Sequence, residues 1–256
     1  MATKHIDFNS DLAQSFGIYK NESEFEILDY VSSVNISCGF HSGDPLSIRN
    51  AILKCKEKNV AIGAHIGFQD IQGFGYRPMG LDEAEIEAIV IYQLGALACF
   101  AKTYDLSIEH VRPHGAMYKL ASEDYNFSLA IAKAIKKFDK WLVYYGAANE
   151  ILEKVSEETG LIVAREIFVD KQYNADGSIN WESTEAVTSE VSLNRIRTIM
   201  HSSQMKLNNN IFIPVKCDTI HFSTKTEDAI SLAAKAREIT TPTPVNYNNV
   251  EAAGWV

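Results

Sequence analysis

The stretch Asn35-Ile36-Ser37-Cys38-Gly39-Phe40-His41-Ser42-Gly43-Asp44-Pro45 decides the fold. Residues 31–38 are small or apolar and read as a short buried strand. Asp44 before Pro45 reads as an N-cap with proline at the first helical position. His41 therefore falls in a glycine turn between a strand and a helix. Turns at the carboxyl ends of strands are where β/α barrels and open α/β sheets keep their sites. A glycine-rich turn also serves as a plain tight connection, so His41 gains meaning only from what the rest of the chain sets beside it.

Outward from this stretch, strand and helix signals alternate. Residues 5–9 fit a first strand ending at Asn9-Ser10-Asp11. If it runs on to Asp11, then Asp7, Asn9 and Asp11 share one face, since alternate strand residues do. A helix is predicted over 45–58, with Ile48, Ala51, Ile52 and Cys55 at helical spacing, and a strand over 60–65 ending in His65. A glycine- and aromatic-rich loop, 66–81, has the length of a binding loop or lid. Asp82 and Glu85 then form an acidic capping box for a helix to about residue 104. Strands follow over 110–114, 141–145, 161–168 and 212–222, the last interrupted or bulged near Pro214, with helices over 125–137, 149–159, 189–202 and 226–238. A second loop spans 171–184 around Asp176-Gly177-Ser178. Residues 240–256 form an extended tail. Seven strand candidates, mostly followed by helices and with no linker composition, predict parallel strands and right-handed crossovers in a single domain. A β/α barrel is the leading architecture and a doubly wound sheet the alternative.

The totals narrow the function. The 256 residues carry 24 basic and 33 acidic side chains, a formal charge of −9, which argues against nucleic acid or an anionic membrane surface as partner. Cys38, Cys55, Cys99 and Cys217 form no C-x-x-C pair and follow no secretory signal. They read as buried free thiols of a cytoplasmic protein. No apolar run approaches the roughly 20 residues of a membrane span.

Asp11, His41, His65, His114, Glu166 and His221 all fall at or just after the carboxyl ends of different predicted strands. In a barrel those ends share one mouth. His5 and His201, at a strand start and a helix end, read as surface residues. Such a set could act as general acid and base on an amide, or Asp11, His65 and His114 could hold a divalent metal whose bound water attacks a carbonyl. Neither G-x-S-x-G nor a Walker-type phosphate loop is present.

Five segments in order, Asp7-Phe8-Asn9-Ser10-Asp11-Leu12, the opening stretch, Ile62-Gly63-Ala64-His65, Gly73-Phe74-Gly75-Tyr76-Arg77 and Arg112-Pro113-His114-Gly115-Ala116-Met117-Tyr118, resemble the motifs of the LamB/YcsF family. The resemblance covers about the first 180 residues. It implies a seven-stranded β/α barrel of the glycoside hydrolase/deacetylase type. It also implies ATP-dependent opening of the 5-oxoproline lactam to glutamate together with partner subunits B and C, with ATP bound through that complex. Asn9, Asp11, His41, Asp44, His65 and His114 match motif positions. On this resemblance Asp11, His41 and His114 are the expected catalytic residues, with a histidine as acid/base and Asp11 orienting water. Asn9, Asp44, His65, Arg77, Glu166 and Lys171 are expected to bind substrate. A metal-dependent amidohydrolase and a catalytically silent binding subunit of the same fold are the alternatives. The chain departs from the motifs at Ser10, Ile66 and Tyr76, at Lys171 where arginine is common, near Trp181 where an arginine is missing, and at His221-Phe222-Ser223 where the family has His-Gly-Asp. These changes gather towards the C-terminal half of the mouth.

Overall fold

The computed structural model describes residues 5–19, 21–207, 211–224 and 228–247. Seven parallel strands close into a barrel: β1 (Asp7–Leu12), β2 (Ser33–Ser37), β3 (Ala61–Ile66), β4 (Ile108–Pro113), β5 (Val143–Ala147), β6 (Val163–Phe168) and β9 (Thr219–Phe222), with β9 pairing back to β1. Closure removes the doubly wound alternative, because no sheet edge is left open.

The helices read from the sequence form as α1 (Pro45–Lys58), α2 (Glu83–Thr103), α4 (Tyr125–Phe138), α5 (Glu150–Thr159), α6 (Ser189–Ser202) and α7 (Ala229–Ile239), and a further helix that the sequence reading did not place, α3 (Gly115–Glu123), follows His114 directly. The start signals act as read. The Asp44 carboxylate accepts from the amides of Leu46 and Ser47, and Asp82 and Glu85 form a reciprocal capping box. Helix α2 is long and apolar enough to cross a membrane by length and composition, although the sequence suggested no such segment. Its Ile86, Val90, Leu94, Leu97 and Ala101 are buried, and it packs on α4 as an outer layer of the barrel.

Three expectations change. The strand predicted over 212–222 is two strands: Phe212–Pro214 (β8) pairs antiparallel with Gln204–Lys206 (β7) outside the barrel, and Thr219–Phe222 enters it. Pro214 offers no amide, so the chain leaves one sheet there before joining another. Residues 22–29, left unassigned from the sequence, form a 3-10 segment. Cys99 is exposed, whereas Cys38, Cys55 and Cys217 are buried free thiols. His5 and His201 are exposed as expected. The predicted helix start at Thr226, and tail residues 248–256, lie outside the described residues. The described part of the tail docks at the amino-terminal end of the barrel: Thr243 donates to the Ile6 carbonyl (2.9 Å), and Val245 is buried with Val143, Tyr145 and Ala164.

Alternation along the strands sorts the side chains. Phe8, Leu12, Val34, Ile36, Ile62, Ala64, Val111, Ile167, Ile220 and Phe222 face the helices and build the apolar core. The alternate positions, including Asp7, Asn9, Asp11, Ser33, Asn35, His65, His110, Arg112, Glu166, Thr219 and His221, are buried too, and they are polar. The interior is thus a hydrogen-bonded column. Gly63 belongs to it by having no side chain, since a Cβ there would come within 2.2 Å of the His110 imidazole.

At the β1 exit, the buried Glu24 carboxylate accepts from the backbone amides of Gln14 (3.1 Å) and Ala13. Burial raises its pKa to about 7, against the lowering by those amides. A folded-state pKa above the unfolded one means that the protonated folded form is favoured, so stability is lost as pH rises through about 7. The thermal midpoint of the wild-type chain is therefore expected to fall between pH 6 and 8. Glu24→Gln, which can keep an acceptor towards the amides, should remove part of that fall, up to about 1.4 kcal/mol between pH 6 and 8. Equal pH slopes for the two proteins in thermal melts would refute this role for Glu24.

Candidate active site

Arg112 is the hub of the carboxyl-end mouth. It extends from β4 inside the barrel, 4% exposed, and donates through Nε to both Glu166 oxygens (2.8 and 3.0 Å) and through Nη1 to Asp11 Oδ1 (3.3 Å). Its guanidinium lies over the rings of Tyr118 (5.0 Å) and Phe168 (5.5 Å). Burial alone would weaken its hold on the proton, but Glu166 and Asp11 more than offset that and push its pKa up. Burial would likewise raise the Asp11 carboxyl. The neighbouring His65, Arg112 and His221 override it and hold Asp11 well below the usual carboxylate range. Asp11 is therefore ionised at any working pH.

Amides set the carboxylates in place. Asn9 donates to Glu166 (3.0 Å) and Thr219 (2.6 Å), and Asn35 donates to Asn9 (2.8 Å) and Asp11 (3.0 Å). His110 Nε2 meets Asn35 Oδ1 at 2.8 Å, and that ring stacks on Tyr145. Burial, reinforced by Arg112 and His65, lowers the His110 pKa to about 3, so it is a neutral donor.

Three further imidazoles form one cluster: His41, His65 and His114 are buried, and one ring nitrogen of each lies within 4.8 Å of the others. His41 and His114 stack at 4.0 Å, and His65 Nε2 meets His114 Nδ1 at 2.7 Å. His114 Nε2 lies 2.8 Å from the Phe74 carbonyl, which only accepts, so that nitrogen carries the proton. With neutral rings His65 must then donate from Nε2, which leaves its Nδ1 lone pair 3.0 Å from the Asp11 carboxylate. The centre is short of one positive charge, and burial, which lowers the pKa of His65, works against supplying it with a proton. A divalent cation held by His41, His65 and His114 would let the His65 proton move to Nδ1 and face Asp11. That carboxylate–histidine–metal arrangement is common at such centres, so the donor set fits a metal. Asp11, expected from the sequence among the ligands, sits behind His65, and His41 takes its place.

The mouth itself is a cavity of about 550 Å³, its wall including Asp11, Arg112, His114, Tyr118, Lys171, Trp181 and His221. His41 lies behind His114, under a loop whose Phe74 ring packs on both. Gly67 and Gly75 have no side chain where this loop crosses the imidazoles: a Cβ at Gly67 would sit 2.4 Å from the His41 ring, and one at Gly75 2.7 Å from that of His114.

Of the residues expected to bind substrate, Lys171 is on the wall of the mouth and five are elsewhere. Asn9 supports Glu166 from below, and His65, fully buried, contacts His114 and Asp11. Asp44 caps α1 and accepts from Gly17. Arg77 is largely exposed and pairs with buried Asp70 inside the loop, while Glu166 clamps Arg112. Arg112, Asn35 and His110 were not singled out from the sequence. The alternation that grouped Asp7, Asn9 and Asp11 also groups His110, Arg112 and His114 on β4, and it is the signal that points to His110 and Arg112; on β2 the same alternation sets Asn35 with Ser33 and Ser37.

The geometry agrees with comparison to known proteins. The LamB/YcsF family profile matches residues 6–253. The chain belongs to the LamB/YcsF family. It is 37% identical over 236 residues to the A subunit of 5-oxoprolinase from Bacillus subtilis, covering 91% of this chain and 92% of that protein. It is 38% identical over 235 residues to the A subunit of 5-oxoprolinase from Tolumonas auensis, covering 91% and 94%. The crystal structure of a lactam utilization protein from Thermus thermophilus superimposes with a TM-score of 0.86 at 33% identity, over 98% of each chain. The fold similarity to the Thermus thermophilus protein thus extends over nearly the whole of both chains.

Arg112→Met is expected to leave two buried carboxylates facing each other and to cost about 3–5 kcal/mol. A urea unfolding midpoint within error of wild type would show that the guanidinium is not what holds Asp11 and Glu166 in place.

Proposed function

We propose that this chain is the A subunit of a cytoplasmic 5-oxoprolinase, a hydrolase that opens the cyclic amide of 5-oxoproline to give glutamate. ATP hydrolysis is coupled through partner subunits B and C. The observation that carries the reading is a mouth that brings an ionised carboxylate, Asp11, together with two imidazoles, His114 and His221, in a family whose curated relatives bear that name. No phosphate loop occurs in this sequence, which is why nucleotide binding is assigned to the complex.

Opening the lactam requires water to add to the carbonyl carbon, the ring C–N bond to break, and the departing nitrogen to gain a proton. Both ring nitrogens of His114 are engaged, one with His65 and one with Phe74. His221 is differently placed: its Nε2 lies 3.3 Å from Asp11 Oδ1, and its buried Nδ1 has no hydrogen-bond partner. In this reading Asp11 orients His221, which takes a proton from the attacking water and returns it to the ring nitrogen, while His114 shapes the wall beneath the 67–81 loop. The remaining water proton passes from the new carboxyl to the amine, giving carboxylate and ammonium.

Glutamate formation by the complex reassembled with subunits B and C, ATP and 5-oxoproline tests this. His221→Gln and Asp11→Asn should each lower kcat by a factor of about 10² to 10⁴. Absence of glutamate from the wild-type complex, where a reference enzyme works, sinks the substrate assignment. Full activity of both variants, and of His41→Ala and His114→Ala, would make the chain a silent binding component.

The histidine cluster supports a second reading, a metal-dependent amidohydrolase or deacetylase. A metal held there would act as a Lewis acid and lower the pKa of a bound water. Elemental analysis of chain purified without chelator should then find close to one equivalent, reduced in His65→Ala. Less than about a tenth of an equivalent would exclude a tightly held ion.

A further inference from the structure

The two long side chains Lys119 and Lys171 and the guanidinium of Arg112 are the cations that line the mouth among the described residues, and two of the three are committed. Arg112 is neutralised by Glu166 and Asp11, and Lys119 pairs with Glu182 at 2.8 Å. Lys171 has no carboxylate within ion-pair distance among the described residues. Its ammonium is held over two aromatic faces, 5.6 Å from the centre of Phe168 and 5.5 Å from that of Trp181. Such contacts orient a cation without cancelling its charge. Beside it, Asp170 also lines the cavity, and its Oδ1 is buried without a hydrogen-bond partner. Two neighbouring charges of opposite sign thus line one cavity: Lys171 has no carboxylate partner among the described residues, and Asp170, although near the Arg195 guanidinium, has an oxygen that takes no hydrogen bond.

The strap that carries them is not loose. Arg195 of α6, 1% exposed, donates from Nη1 to the Val169 carbonyl (2.9 Å) and the Lys171 carbonyl (2.6 Å), the two carbonyls that bracket Asp170, and from Nε to the Lys206 carbonyl (3.2 Å). Ser192 also donates to Val169 (3.0 Å). A guanidinium buried to hold backbone oxygens, rather than a carboxylate, fixes the path of the main chain, and with it the origin of both side chains.

We propose that Asp170 and Lys171 form a zwitterion-reading pair in the mouth. Lys171 holds a carboxylate carried by the substrate, Asp170 receives the ammonium that ring opening creates, and Arg195 is the positioning residue for both. This rests on the lactam-opening reading above. Hydrolysis of a cyclic amide converts an uncharged amide nitrogen into an ammonium and an amide carbonyl into a carboxylate. A site with a carboxylate that has an unused acceptor beside an unpaired ammonium distinguishes the ring-opened amino acid from the closed ring, and the closed acid from a lactam with no carboxylate.

Calorimetric titration of the full chain, alone and assembled with its partner subunits, checks this without requiring turnover. The probes are 5-oxoproline, 2-pyrrolidinone, which lacks the carboxylate, and glutamate. Lys171→Met should weaken 5-oxoproline and glutamate at least tenfold and leave 2-pyrrolidinone unchanged. Asp170→Asn should weaken glutamate about tenfold and 5-oxoproline by less than threefold. Arg195→Lys should weaken both acids, and in turnover should raise KM more than it lowers kcat, a split that general loss of folding would not give. Unchanged acid affinities in Lys171→Met overturn the proposal and leave the lactam-opening reading standing. If no glutamate forms in the turnover assay, succinate and L-proline are added as probes. Lys171-dependent binding of any of these acids keeps the subsite, whereas no binding of any acid by the wild-type chain or complex overturns it.

Discussion

A guanidinium inside a barrel must be compensated or expelled, and the way Arg112 is compensated sets the shape of this mouth. Transferring one charge from water to such an interior costs several kcal/mol, which is recovered only when partners and geometry are nearly complete. Here Glu166 and Asp11 supply two carboxylates, and Tyr118 and Phe168 supply ring faces. The carboxylates in turn need donors of their own: Asn9 on β1 donates to Glu166 and Asn35 on β2 to Asp11, while Asn9 is itself tied to the Thr219 hydroxyl on β9. Moving any one strand would leave a buried polar group without its partner, so the interior fixes the register from within while the apolar shell supplies bulk burial.

This division of labour explains why glycine recurs at particular places. Gly63 leaves room for His110, and Gly67 and Gly75 let the covering loop lie against His41 and His114. In each case the side chain that would occupy the space is replaced by an imidazole from another element. The loop reaches the histidine cluster through its backbone, ending in the Phe74 carbonyl that fixes the tautomer of His114. The protonation state of the cluster therefore depends on whether the loop is seated.

Much of this was legible in the sequence. Caps at Asp44 and Asp82 placed α1 and α2, and histidines repeated at strand ends placed the mouth. Where the reading fell short, the cause was local. Asp44 matched a motif position because it closes a helix and ties down Gly17, a structural duty indistinguishable in sequence from ligand binding. Arg77 was expected to bind substrate, but its partner Asp70 lies inside the same loop. Pro214 marked a break whose consequence, two strands in two sheets, depends on where the chain goes next. Arg195 gave no signal at all: a buried arginine on a helix reads as solvated surface until the carbonyls it holds are known.

The two sides of the mouth are held by different means. Strands β1 to β4 supply Asp11, His65, Arg112 and the turn with His41 through side chains locked to one another across the barrel. The opposite wall, from Phe168 to Trp181, is a strap whose backbone is fastened to α6 while the Lys171 ammonium has no carboxylate partner among the described residues. Substitution on the first side disturbs the interior, because Asn9, Asn35 and Arg112 each hold partners on other strands. Substitution on the second changes what the cavity recognises and leaves the column intact. A barrel built this way can change its substrate without rebuilding its chemistry.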